Sequence, residues 1–263
     1  MSTYHQHEMY TQPHRATDAP AVSATNPEQH PLSLSILLHL LPGILTGAAL
    51  FLLAPVTQQN GLPSLWAHGI ADLIIILPFI FGLLFYLGYK RNGKFSLDGV
   101  VLYRERIPLR HYLIFVPVVF LSAAIIPLLE PVSSFIFDRL FYWWPEMYNL
   151  SFDLRGYSAS VIIATLIFNF LMVGVLVPVA EEIYFRGYLL PRLSRFGFWA
   201  VPIHTILFAL FHVWTPWMAI ARAIGVIPLA YIAQRKKNIY IGIIVHILIN
   251  TADVVTGIML VLS

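Results

Sequence analysis

The chain has 263 residues, of which 58% are hydrophobic and only 11% charged. Soluble domains carry about 25% charged residues, so this composition excludes an ordinary soluble protein and predicts a polytopic membrane protein. There is no cysteine, which excludes disulfides, thiolate metal sites and a cysteine nucleophile. The net charge of +3 comes from basic residues in short loops between apolar runs. There they set topology rather than form a nucleic-acid surface.

Residues 1–31 are polar, with Pro13, Pro20, Pro27 and Pro31 and no apolar periodicity. They read as a disordered cytoplasmic tail whose His5, His7, His14 and His30 are solvated. No cleavable signal peptide is visible. The apolar runs then predict spans over 32–54, bent at Pro42 and Gly43, and over 66–89, with Asp72 interfacial. Lys90 to Arg110 is the most basic loop and is expected to be cytoplasmic. A third span covers 111–129, and 130–156 reads as an interfacial segment with Trp143, Trp144 and Tyr148.

The remaining helices are expected over 157–193, 198–212, 218–234 and 239–262. Arg192, Arg195 and the Arg235-Lys236-Lys237 knot mark cytoplasmic ends, and Trp214-Thr215-Pro216-Trp217 an outer turn. The predicted fold is an all-α transmembrane bundle of about seven spans with the N-terminus inside. Residues 32–156 form its N-terminal part and 157–263 its last four helices.

The long helix over 157–193 carries Glu181-Glu182-Ile183-Tyr184-Phe185-Arg186 at the end of an apolar run. Ionised groups at membrane depth are costly and point to function. Glu182 and Arg186 are i and i+4 and can pair on one helix face. Glu181 lies about 100° round the helix and stays unpaired, a candidate general base. The competing structural explanation is a charge cluster that snorkels to the interface.

Two further motifs supply partners: Phe208-x-x-x-His212, and His246-x-x-x-Asn250 on one face of the last helix. By helix rise, Glu181 lies about 16 Å, His212 about 21 Å, His246 about 10 Å and Asn250 about 16 Å from the cytoplasmic level. The four can share one layer. Such a set suits hydrolysis. Glu181, helped by His212, would hold and deprotonate a water, while His246 and Asn250 donate to an oxyanion. The alternative is a divalent metal, zinc, on Glu181, His212 and His246. Asn169, His204, Arg222 and Asp253 read as packing or snorkelling groups.

Together, Glu181-Glu182-x-x-x-Arg186, Phe208-x-x-x-His212 and His246-x-x-x-Asn250 resemble the CPBP family, the CAAX protease and bacteriocin-processing (ABI) intramembrane endopeptidases. The resemblance covers about residues 158 to 262 and makes 157–263 the catalytic core. It implies a glutamate-dependent intramembrane protease. Glu181 would be the base, His212 would orient the water, Glu182 and Arg186 would support them, and His246 and Asn250 would form the oxyanion hole. Some descriptions of the family call it a metalloprotease. The implied partners are membrane lipid and a peptide or membrane-protein substrate. Zero cysteines and the short chain fit a bacterial plasma membrane, where prenylated substrates are not expected. The competing readings are a non-catalytic immunity or scaffold protein that binds a peptide in the same cavity, and a small proton- or cation-coupled transporter.

Overall fold

A computed structural model describes residues 28–262, with side chains as far as Leu260. The expected disordered tail and its His5, His7 and His14 lie outside the described residues. His30 lies inside them and is not solvated. It is 6% exposed, packs on Tyr188 and donates its backbone N–H to the Arg192 carbonyl.

The described residues are helical, with a lone β-bridge between Arg104 and Asn238. Helix α1 is Leu32–Gln59 and α2 is Ser64–Asn92, with one wide π turn at Asp72–Ile76. Gly93 closes α2 in the left-handed conformation, φ 67°, and donates to the Tyr89 carbonyl at 2.8 Å. Helix α3 is Leu109–Ser122 and α4 is Glu130–Ile136. The expected interfacial segment is thus partly a continuation of the third apolar element, which runs over Leu109–Phe141.

Helix α5 is composite. It begins as Ala159–Asn169, widens to π geometry over Phe170–Leu176, returns to α over Val177–Glu181 and widens again over Glu182–Leu189. A 3-10 stretch, Leu190–Trp199, breaks at Gly197 (φ 56°, ψ −122°) and leads into α6, Ala200–Phe211. The apolar element Ala159–Phe211 has 53 residues. Continuous helix of that length would reach about 80 Å, more than twice the hydrocarbon core. The chain therefore folds back at Gly197. Phe185 meets Phe208 and Phe211, and Arg186 lies over the Phe208 ring, the antiparallel register of a helical hairpin.

Helix α7 is Ala219–Gly225, α8 is Ile227–Lys236 and α9 is Tyr240–Leu262. Among the described residues, five elements are long and apolar enough to cross a membrane, or six if the α7–α8 pair, bent by 44°, is one span. Dividing the longest at Gly197 brings the count to the expected seven. Together these spans make the chain a multi-pass membrane protein.

Helix α1 turns a stripe of small and polar residues inward: Ser35, His39, Gly43, Thr46, Gly47 and Ala54 are buried. Small residues let helix backbones approach closely where lipid offers no hydrophobic drive between helices. A Cβ on Gly43 would lie 1.9 Å from the Phe211 carbonyl oxygen, and one on Gly47 2.6 Å from Val213. The end of α6 thus seats directly on the α1 backbone. His39 donates Nδ1–H to the Ser35 carbonyl at 2.7 Å and accepts at Nε2 from His204 Nδ1 at 3.1 Å. Tyr184 donates its hydroxyl to the Leu38 carbonyl at 2.7 Å.

The basic loop after α2 plugs one end of the bundle rather than floating in water. Val100, Val101 and Tyr103 are buried. Leu102 donates to the Gly187 carbonyl, Ile239 to the Tyr103 carbonyl, and Arg192 Nη1 to the Val100 carbonyl at 3.1 Å. Asn238 is fully buried; it donates to the Glu105 carbonyl and accepts from Ile241 N–H at the start of α9.

Substitution of Gly43 by Ala should lower stability by about 1–3 kcal/mol, because a methyl group has no room against Phe211. The same change at lipid-facing Gly82, with nothing within 4 Å, should leave it unchanged. Thermal denaturation in detergent compares the two.

Candidate active site

The two π stretches of α5 flank Val177–Glu181, and Glu182 opens the second. Wide turns of this kind are rare and collect at functional sites. They make the helix that carries the Glu181–Glu182 pair irregular.

Glu182 is fully buried and Arg186 is 1% exposed. They pair at 3.0 Å, as their spacing predicts. The same Glu182 oxygen accepts a hydrogen bond from His246 Nδ1 of α9, also at 3.0 Å. Gly242, one turn before His246, makes the approach possible: a Cβ there would stand 2.4 Å from Glu182 Oε2. The Arg186 guanidinium lies 3.9 Å from the centre of the Phe208 ring, a cation–π contact strengthened by desolvation. Glu182 and Arg186 thus tie α5, α6 and α9 together.

Glu181 faces elsewhere. It makes no ion pair with Arg186, and its Oε2 lies 3.9 Å from His246 Nε2. His212 sits just past the end of α6, with φ −81° and ψ 61°. Its Nδ1–H donates to the Phe208 carbonyl at 2.9 Å. A carbonyl only accepts, so Nε2 carries the free lone pair. Asn250 donates Nδ2 to the Val173 carbonyl at 2.8 Å. That carbonyl lies in the first π stretch, next to Pro178, which has no N–H to offer the helix.

Glu181, His212, His246 and Asn250 all line one cavity of about 660 Å³. From Glu181 the cavity follows Val177, Val173 and Asn169 along α5, and from His246 it follows Asn250 and Asp253 along α9. Both rows run away from the end that holds Arg192 and Lys237. Its far wall comes from Glu130, Ser133 and Phe137, and from Trp217. Its surface is mostly apolar.

The structure also brings to this cavity residues that the sequence reading left aside. Asp72, read as interfacial, and Asn169, Arg222 and Asp253, read as packing or snorkelling groups, all line it. Asp72 is 1% exposed and lies 3.7 Å from His68 Nε2. Gly242 carried a usable signal, since Gly242, His246 and Asn250 form one i, i+4 row. His204 is buried against His39.

Among the described residues, no group of three or more His, Asp or Glu side chains converges closely enough to hold a metal ion. Glu181, His212 and His246 share the cavity but not a common coordination point, so the donor set does not fit a bound zinc.

Replacing Glu182 by Gln should cost about 3–5 kcal/mol, because it strands the Arg186 charge in the interior. Replacing Glu181 by Gln should cost under about 1 kcal/mol, since no ion pair with arginine is lost. Thermal midpoints in detergent distinguish the two carboxylates.

No curated protein and no solved structure matches the chain. Residues 163–252 match the family described as type II CAAX prenyl endopeptidase Rce1-like. The matched stretch contains the whole Glu181, His212, His246 and Asn250 set, and the family supports an intramembrane endopeptidase in general. Over residues 163–252 the helical core of this chain is therefore similar to the Rce1-like family, in keeping with the CPBP family that its three motifs resemble.

Proposed function

We propose that the protein is an intramembrane endopeptidase that hydrolyses peptide bonds of membrane-associated substrates with a water activated by Glu181. The observation that carries this reading is the division of labour between adjacent carboxylates. Glu182 is consumed by Arg186 and His246, while Glu181 faces a cavity that His246 and His212 also line.

In this reading a water sits between Glu181 and His212 Nε2, both acceptors. Glu181 takes its proton as the oxygen attacks the carbonyl carbon. The developing oxyanion accepts from Asn250, whose second amide N–H is not spent on Val173, and from His246 Nε2–H. Glu182 accepts from Nδ1–H and fixes the His246 ring so that Nε2 meets the reacting atoms; in this step the ring is protonated on both nitrogens, and Glu181 is the free carboxylate that takes the water's proton. The C–N bond then breaks, and the proton held by Glu181 passes to the leaving amine. The products are a free carboxylate and an amine. Apolar cavity walls suit side chains of a membrane peptide and keep bulk water out.

The end of the bundle with Arg192 and Lys237 is taken as cytoplasmic by the positive-inside rule, with the N-terminus on that side. The proposed location is the cell membrane.

The test is hydrolysis of fluorogenic membrane peptides by purified protein in detergent. Glu181→Gln should reduce the rate by at least about 10²-fold, and His212→Ala by a comparable factor. A chelator should leave the wild-type rate intact. Persistent cleavage in both Glu181→Gln and His246→Ala would refute the assignment. Peptide binding without hydrolysis by wild type would favour the non-catalytic scaffold.

A further inference from the structure

Arg222 lies on the short helix α7, outside the three motifs. Its side chain lines the same cavity as Glu181. One arm donates from Nη2 to Thr215 Oγ1 at 3.1 Å and contacts Met218 Sδ at 3.8 Å. Its Nη1 has no hydrogen-bond partner among the described residues. Arg186, the other arginine on the cavity wall, is neutralised by Glu182. Arg222 has no carboxylate within ion-pair distance among the described residues. The Asp72 carboxylate lines the same cavity, yet its neighbour within that distance is His68, not Arg222.

An arginine inside a membrane protein without a counter-ion is costly, since removal from water is offset only by a partner charge or hydrogen bonds. Thr215 and Met218 are neutral and satisfy one arm. The position is also close to the chemistry, because Arg222, Glu181, His212 and His68 line one cavity. Helix α7 is held there by close packing: a Cβ on Gly225 would lie 2.4 Å from Ile126.

We infer that Arg222 is an anion-binding residue that supplies the missing counter-charge from the cavity's occupant, anchoring a ligand with an apolar body and a terminal anionic group. Guanidinium groups match carboxylate and phosphate geometry. Two sources present that chemistry here: the free C-terminal carboxylate of a peptide, and the phosphate of a lipid headgroup. The peptide source rests on the endopeptidase reading. It would hold the substrate's C-terminus at a set distance from Glu181 and make Arg222 a specificity-determining residue.

The test uses the full chain carrying Glu181→Gln in neutral-detergent micelles, so that bound peptide stays intact. The probes are a fluorescein-labelled oligoleucine peptide with a free carboxylate, the same peptide as its C-terminal amide, and phosphatidylglycerol against phosphatidylcholine as competitors. Anisotropy should show the carboxylate binding at least about tenfold more tightly than the amide. Arg222→Lys should keep a preference, and Arg222→Gln should reduce it below about twofold. Equal peptide binding with Arg222-dependent displacement by phosphatidylglycerol alone would assign the contact to a lipid phosphate. Binding without any anion preference, a preference that survives Arg222→Gln, or no binding of any probe would overturn the inference. Wild-type protein that shows the preference but hydrolyses nothing would retain this contact and fail the endopeptidase reading. Hydrolysis of acid and amide peptides at equal efficiency would do the reverse.

Discussion

One buried carboxylate organises this molecule. Glu182 has no exposure to water, so its charge persists only because partners replace the lost hydration. Arg186 comes from one turn along the same helix, and His246 from α9. Gly242 lets the α9 backbone close onto the carboxylate. Arg186 in turn rests on the Phe208 ring, and the Phe208 carbonyl holds His212. The orientation of His246 and His212 therefore traces back to one desolvated ion pair. Its strength is less the point than its directionality, since a charge cluster of this kind tolerates few alternative arrangements.

The scaffold around that cluster trades regular helix for position. Widening α5 on either side of Val177–Glu181 changes the direction in which successive side chains project, so that Glu181 and Glu182 serve different partners. The hairpin at Gly197 and the short α6 end the chain at His212 inside the protein rather than at its surface. Irregular backbone at membrane depth is tolerated only where it is buried or lines a cavity. Both conditions hold here. The glycines of α1 give α6 the close seat that this early termination requires.

The sequence was most informative where spacing along one helix settles geometry. The Glu182–Arg186 pair follows from i, i+4 spacing, and His246 and Asn250 reach one cavity for the same reason. Helix rise alone placed all four proposed catalytic groups at compatible depth. It was least informative across helices. The His246–Glu182 bond could not be read, because nothing local specifies which imidazole nitrogen meets which carboxylate. Asp72 was read as interfacial and Arg222 as a packing or snorkelling group from their places along single spans, whereas their shared cavity is formed by several helices. The basic loop after α2 was read only for its charge, although Val100, Val101 and Tyr103 in it are buried.

By itself, the sequence determined that this is an all-helical protein of several membrane passes, and that its polar residues concentrate in three motifs of the last four helices. Hydrophobic run length and the cost of charge in lipid are local properties, which composition and spacing record directly. The tertiary structure alone decided that Glu182 also meets His246 of another helix and that Glu181 faces a cavity. It also decided that Arg222 and Asp72 share that cavity, and that the donor set does not converge on a metal point. Those outcomes depend on helix breaks, on the positive φ of Gly197 and on close approaches at Gly43 and Gly242. A backbone without a side chain takes its meaning from what packs against it.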